Sequence, residues 1–160
     1  MRAAYLAALA FTLAACTPNG IGTGSSGSSG GGVTITVDLN LTNYQNLTNT
    51  PYGQSLAIKP AVVNAAVGDT IDFLNSDGFA HTSTVLPAGT TNNETQFPGN
   101  SPINGLGTLN AKGTTLSGGW SSGALQAGAS YSVLADKAGT YLYGCHYHYS
   151  ADMRGAIVVQ

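Results

Sequence analysis

Gly139-Thr140-Tyr141-Leu142-Tyr143-Gly144-Cys145-His146-Tyr147-His148-Tyr149-Ser150-Ala151-Asp152-Met153-Arg154-Gly155-Ala156-Ile157-Val158-Val159 carries the most information in this chain of 160 residues. The aromatic and β-branched runs 139–144 and 155–159 read as strands. Between them a thiol, an imidazole and a thioether recur as C-x2-H-x4-M. Soft sulfur ligands favour Cu(I), while imidazole accepts copper in either oxidation state.

Working outward, the same strand signals recur. Val33-Thr34-Ile35-Thr36-Val37-Asp38-Leu39 and Thr70-Ile71-Asp72-Phe73-Leu74-Asn75 alternate apolar and polar residues, the period of a half-buried strand. Further strands are expected at Thr82–Leu86 and Tyr131–Ala135. Ser55–Val63 is a weaker candidate, which Pro60 turns into an edge or a bend. Asn75-Ser76-Asp77-Gly78 is a turn by composition, and Asn40–Gln54 reads as a loop with a short strand. Pro87–Leu116, rich in Gly, Asn, Thr and Pro, is a loop of unusual length. No helical stripe or internal repeat is visible. The sum is an all-β domain, a Greek-key β-sandwich of about 7–8 strands with a barrel as the structural alternative. An apolar content of 42% lets a core form without disulfides.

The first 32 residues belong to no such fold. Residues 1–15 carry one charge, Arg2, and then an apolar run too short to span a bilayer comfortably, which reads as an export signal. Leu13-Ala14-Ala15-Cys16 resembles the lipobox of a bacterial lipoprotein. The resemblance implies cleavage before Cys16 and a lipid on its thiol. An uncleaved anchor, or an ordinary signal with an incidental cysteine, is the alternative. Residues 16–32 would then be the lipidated Cys16 and a Gly/Ser-rich tether with a mean reach of about 20–25 Å. The folding unit is residues 33–160.

Within that unit Lys59, Lys112, Lys137 and Arg154 face seven acidic residues, a net charge of −3. Clustered basic residues are lacking, so a nucleic-acid surface is not expected. Of two cysteines, the lipobox takes Cys16, which leaves Cys145 alone in an exported domain. A lone thiol there is an oxidation hazard unless a metal occupies it. His81 stands 64 residues upstream at the start of an apolar run, and His81, Cys145, His148 and Met153 together would hold one copper ion. Taken singly, each has a plainer reading: His81 a turn histidine, Met153 core filler, Cys145 a small buried hydrophobe. His146 points away from Cys145 in a strand-like continuation and is expected at the surface.

These motifs together resemble the cupredoxins. Gly68–Asn75 with Phe79-Ala80-His81 is similar to their first copper-ligand region, and Gly123–Tyr131 to the turn before their penultimate strand. Gly139–Gly155 is similar to the ligand loop of the plastocyanin-like branch. The likeness covers most of residues 57–160. It implies a type 1 (blue) copper centre with His81, Cys145 and His148 as strong ligands and Met153 as a long axial one. It also implies that the loop histidine, His148, lies nearest the surface. Two departures stand out: Tyr149 where relatives often carry Pro, and Thr82 where many carry a polar amide.

The function expected is therefore a one-electron carrier, not an enzyme, because four protein ligands leave no open position and no acid–base pair is present. A copper-handling lipoprotein that stores, delivers or senses the metal is the alternative. Transient redox proteins are the expected partners, with Phe79, Tyr147 and Tyr149 as a ring around His148, unless those aromatics are core or lie under the 87–116 loop. A monomer is expected, anchored by its lipid and facing the periplasm or the cell surface. Which membrane is left open, although Thr17 rather than an acidic residue after Cys16 leans towards the outer one if the cell has two.

Overall fold

The computed structural model describes residues 31–90, 96–98 and 109–160. The expected signal, Cys16 and nearly all of the tether lie outside these residues, as does most of 91–108. Among the described residues twelve strands form two facing sheets and a small hairpin, and the one helical turn, at Tyr149–Ala151, is 3-10. Among the described residues no helix is long and apolar enough to cross a membrane.

The first sheet is centred on two alternating segments, β1 (Thr34–Leu39) and β6 (Thr70–Asn75). They pair in parallel, Thr34 beside Thr70 through Leu39 beside Asn75. Val37, Leu39, Ile71 and Phe73 thereby fall on one buried face. A turn at residues 66–69 leads into β6, with Gly68 at φ 102° and the Asp69 N–H donating to the Ala66 carbonyl at 3.1 Å. The Asp69 carboxylate accepts from the Val33 and Ala66 N–H groups and ties that turn to the start of β1.

The remaining strands fix the topology. Short β2 (Thr48–Thr50) and β3 (Gly53–Ser55) make the hairpin in the stretch expected to be mostly loop. The candidate strand at 55–63 is two strands. β4 (Ile58–Lys59) closes the edge of the first sheet on β1, while β5 (Val62–Ala65) runs along the edge of the second. Pro60 sits at the crossing, where its missing N–H costs neither ladder a bond.

The second sheet runs β5, β12 (Arg154–Val159), β11 (Gly139–Gly144), β7 (Thr84–Val85), β9 (Ser121–Ser122) and β8 (Ala111–Lys112). β10 (Ser130–Leu134) completes the first sheet beside β6. Both sheets contribute to one core, so the sandwich rather than the barrel is formed. At its middle Phe73 stacks on Trp120 at 6.0 Å and meets the Tyr143 ring edge-on at 5.1 Å. Each such side chain, fully removed from water, contributes about 1.5–3 kcal/mol.

Two strand pairings set up the site. β7 lies against β11 with Thr84 beside Gly144, which brings the segment just before β7 alongside the residue just after β11. His81 and Cys145 therefore meet at one end of the sandwich. β11 and β12 form an antiparallel pair with Gly144 beside Arg154, so the loop between them starts and ends at that same end.

Candidate metal centre

Cys145 follows directly on β11, and its N–H donates to the Met153 carbonyl at 2.9 Å, closing the loop at its neck. Inside the loop the His148 carbonyl accepts from Ala151 at 3.0 Å and from Met153 at 3.3 Å. Asp152 takes a left-handed conformation, φ 59°, to end the 3-10 turn. Cys145 and Met153 are buried, His148 is half-buried, and His146 and Tyr147 face solvent. The surface placement expected for His146 is what the structure has.

Tyr149 is the departure noted above, standing where relatives often carry Pro. Its ring is buried and lies across the backbone of Gly144, with the Arg154 guanidinium carbon 4.5 Å above its centroid and Phe97 edge-on at 5.3 Å. Tyr149 is thus a packing residue beneath the loop, not part of an aromatic ring around His148. Its bulk and its contacts hold the loop where a proline would do so by restricting φ.

His81 is fully buried and held through both its backbone groups, which exchange hydrogen bonds with Leu125 at 3.1 and 2.8 Å. The buried Asn75 side chain donates to the Leu125 and Phe79 carbonyls, pinning the segment that delivers the ring. The imidazole presents Nε2 to the Asp77 carboxylate at 3.0 Å. An ionised carboxylate only accepts, so Nε2 carries the proton and Nδ1 turns a lone pair inwards. Burial works to raise the Asp77 carboxyl, but bonds from Thr42, His81 and Gly78 outweigh it and hold the group well below the usual carboxylate range.

Three donor atoms converge. The Nδ1 atoms of His81 and His148 are 3.1 Å apart, and the Cys145 Sγ lies 3.8 Å from the first and 3.4 Å from the second. All three lie within 4.8 Å of one another. Burial pushes the Cys145 thiol up, against N–H groups of Thr82, His148 and Tyr147 that favour the thiolate. The Thr82 N–H reaches Sγ at 3.3 Å, and the Thr82 hydroxyl accepts from the His146 N–H at 2.7 Å. This threonine therefore bridges the two halves of the site without an amide. Burial and the nearby His81 hold His148 below its ordinary range, which keeps its nitrogen free to ligate.

This donor set fits one type 1 copper ion. The two Nδ1 atoms and the sulfur can all turn lone pairs to a single cation among them, and Met153 belongs to the loop that Cys145 closes. Of the residues singled out from sequence, the structure brings His81, Cys145 and His148 together and buries Met153 beside them; Cys16 lies outside the described residues. Sequence reasoning passed over Asp77, taken only as part of a turn. Its signal was an acid four residues ahead of a candidate ligand in an acid-poor chain.

Comparison with known proteins gives a consistent result. The family model for copper binding proteins of the plastocyanin/azurin family matches residues 44–160. The plastocyanin of Scenedesmus fuscus is 30% identical over 109 residues, spanning 66% of this chain and 89% of that protein. Among solved structures, a purple cupredoxin from Nitrosopumilus maritimus aligns with a TM-score of 0.49 at 17% identity, over 78% of this chain and 98% of the other. The oxidized plastocyanin of Dryopteris crassirhizoma aligns at 0.45 and 16% identity, over 79% and 100%.

Proposed function

This chain belongs to the plastocyanin/azurin family of copper-binding proteins; from that membership we propose that it is a one-electron carrier, and from the lipobox-like Leu13-Ala14-Ala15-Cys16 that a lipid on Cys16 holds it at a bacterial membrane. Plastocyanin-like members of the family are electron carriers rather than enzymes. The observation that carries the proposal is the convergence of the His81 and His148 Nδ1 atoms with the Cys145 sulfur in a pre-built, largely buried cluster. His81, Cys145, His148 and Met153 are the ligands we assign. Copper bound there supplies a Cu(II)/Cu(I) couple that accepts and returns one electron.

The chain's own residues account for the rest. The two strand pairings and the Cys145–Met153 bond hold the donors in place before metal arrives, so little rearranges between oxidation states. With four protein donors, no position is left for a substrate, which supports a carrier without enzymatic chemistry.

Electrons are expected to pass through His148, the assigned ligand that is half-exposed. Phe79, 43% exposed, and Tyr147, 44% exposed, lie with ring centroids 5.4 and 6.2 Å from His148. They form a small apolar rim suited to a brief encounter with a redox protein. The donor and acceptor are proposed to meet a monomer tethered by residues 16–32 on the periplasmic or outer face of a membrane.

A copper-handling role draws support from one feature, the exposed His146 next to Cys145. Cycling the copper-loaded protein through reduction and reoxidation in the presence of a Cu(I) chelator separates the two readings. A carrier keeps its copper through repeated one-electron cycles. Stoichiometric loss to the chelator on the first reduction identifies a delivery protein instead.

A further inference from the structure

We propose that Asp77 is a positioning residue that sets the redox balance of the site, by holding a buried negative charge against the outer nitrogen of His81. The inference rests on the electron-carrier reading above and adds to it the residue that biases the couple.

The carboxylate is not a surface group that happens to point inwards. Asp77 and His81 side chains are 2% and 0% exposed, and Oδ2 stands 3.0 Å from Nε2. The same oxygen accepts from the Leu41 N–H at 2.7 Å and the Thr42 N–H at 3.2 Å. Oδ1 accepts from the Thr42 hydroxyl at 2.6 Å and the Gly78 N–H at 2.8 Å. Four donors besides His81 thus converge on it, three of them from the loop after β1. Among the described residues no lysine or arginine pairs with it, and its one ion-pair partner is His81.

A buried anion without a lysine or arginine is costly; the hydrogen bonds it accepts offset part of that cost, and a positive charge nearby offsets more. Here that charge arrives on the far side of the imidazole. The oxidised state of a copper site carries one more positive charge than the reduced state. A fixed carboxylate hydrogen-bonded to a ligating ring therefore favours the oxidised state, through its field and through the electron density it lends the ring. The anion is itself held in place, since the Asp77 N–H donates to the Asn75 Oδ1 at 2.9 Å and the Asn75 amide braces the His81 segment. An uncharged amide could fill the same volume. It could not supply the field.

The test uses the copper-loaded folded protein and reads both its visible band and its midpoint potential. Asp77→Asn should keep the thiolate-to-copper band and shift the equilibrium towards Cu(I) by about tenfold or more, a rise of about 59 mV or more for one electron. A retained band with an unmoved midpoint removes the role of Asp77 and leaves the electron-carrier reading intact. Failure of the wild-type protein to show the band removes both.

If Asp77→Asn does not fold, Thr42→Val decides. It leaves the carboxylate but removes one hydroxyl donor, concentrating charge towards His81. The midpoint should then fall, by less than tenfold in the equilibrium; an unchanged or higher midpoint overturns the proposal. In the metal-free wild type, nitrogen-15 shifts should place the His81 proton on Nε2, and a proton on Nδ1 overturns it as well.

Discussion

The ring of Tyr149 crosses the backbone of Gly144 so closely that a Cβ on that glycine would stand 2.7 Å from the Tyr149 Cδ2. The smallest possible residue at the end of β11 and the large one inside the ligand loop are a matched pair. Gly144→Ala should force the ring and the loop apart, costing about 1–3 kcal/mol in chemical denaturation and weakening copper binding. In a Tyr149→Ala background the same substitution should cost far less, because the two residues are in contact. Equal costs in both backgrounds would mean that the contact does not set the loop.

Phe79 tests the exit route. Phe79→Lys places a charge on the rim beside His148 without touching the donor atoms. Electron self-exchange between two copies, read from NMR line broadening in mixed oxidation states, should slow at least tenfold at low ionic strength. The visible band should be unchanged. Unaltered self-exchange would move the exit away from this rim.

Away from the site, Asp136 links stability to pH. Its carboxylate accepts from the Ser117 hydroxyl and N–H, and these bonds hold it below the usual carboxylate range. A folded-state value below the unfolded one gives stabilisation that is full above about pH 4 and is lost as pH falls through the folded value. Ser117→Ala should therefore cost about 0.5–1 kcal/mol at pH 7, after solvent screening, and narrow the gap to wild type at pH 2–3. Urea midpoints of the metal-free protein at the two pH values check this. A gap that does not narrow in acid would argue against it.

The proposed lipid on Cys16 has its own test. Cells treated with an inhibitor of lipoprotein signal peptidase should accumulate a precursor longer by residues 1–15, and Cys16→Ala should prevent processing at that site. Normal maturation in both cases would discard the anchor.

Much of the fold was legible because alternation survives wherever one strand face is buried. Thr70–Asn75 and Thr34–Leu39 read correctly for that reason, and Gly139–Gly144 from its aromatic and β-branched content. What failed were elements whose pairing, not composition, makes them strands. The two-residue β8 and β9 have no period to detect, and β4 and β5 separate only because the chain changes sheets at Pro60. The parallel pairing of β1 with β6 is likewise a long-range choice that no local run encodes.

At the site, the donor spacing was readable because metal chemistry restricts residue types. Asp77 was not, since its meaning depends on a fold that lays the loop after β1 over the turn before His81. Tyr149 stayed open between the rim and the core for the same reason: only the neighbouring Gly144 shows that its ring goes inwards.

The central claim, that the His81–Cys145–His148 cluster holds copper through a thiolate, is tested most directly by the visible absorption spectrum of the Cu(II)-loaded protein. The account predicts an intense thiolate-to-copper band that bleaches on addition of one electron equivalent, returns on reoxidation, and is absent from Cys145→Ser. Cu(II) bound without that band, or a band that survives in Cys145→Ser, would contradict it.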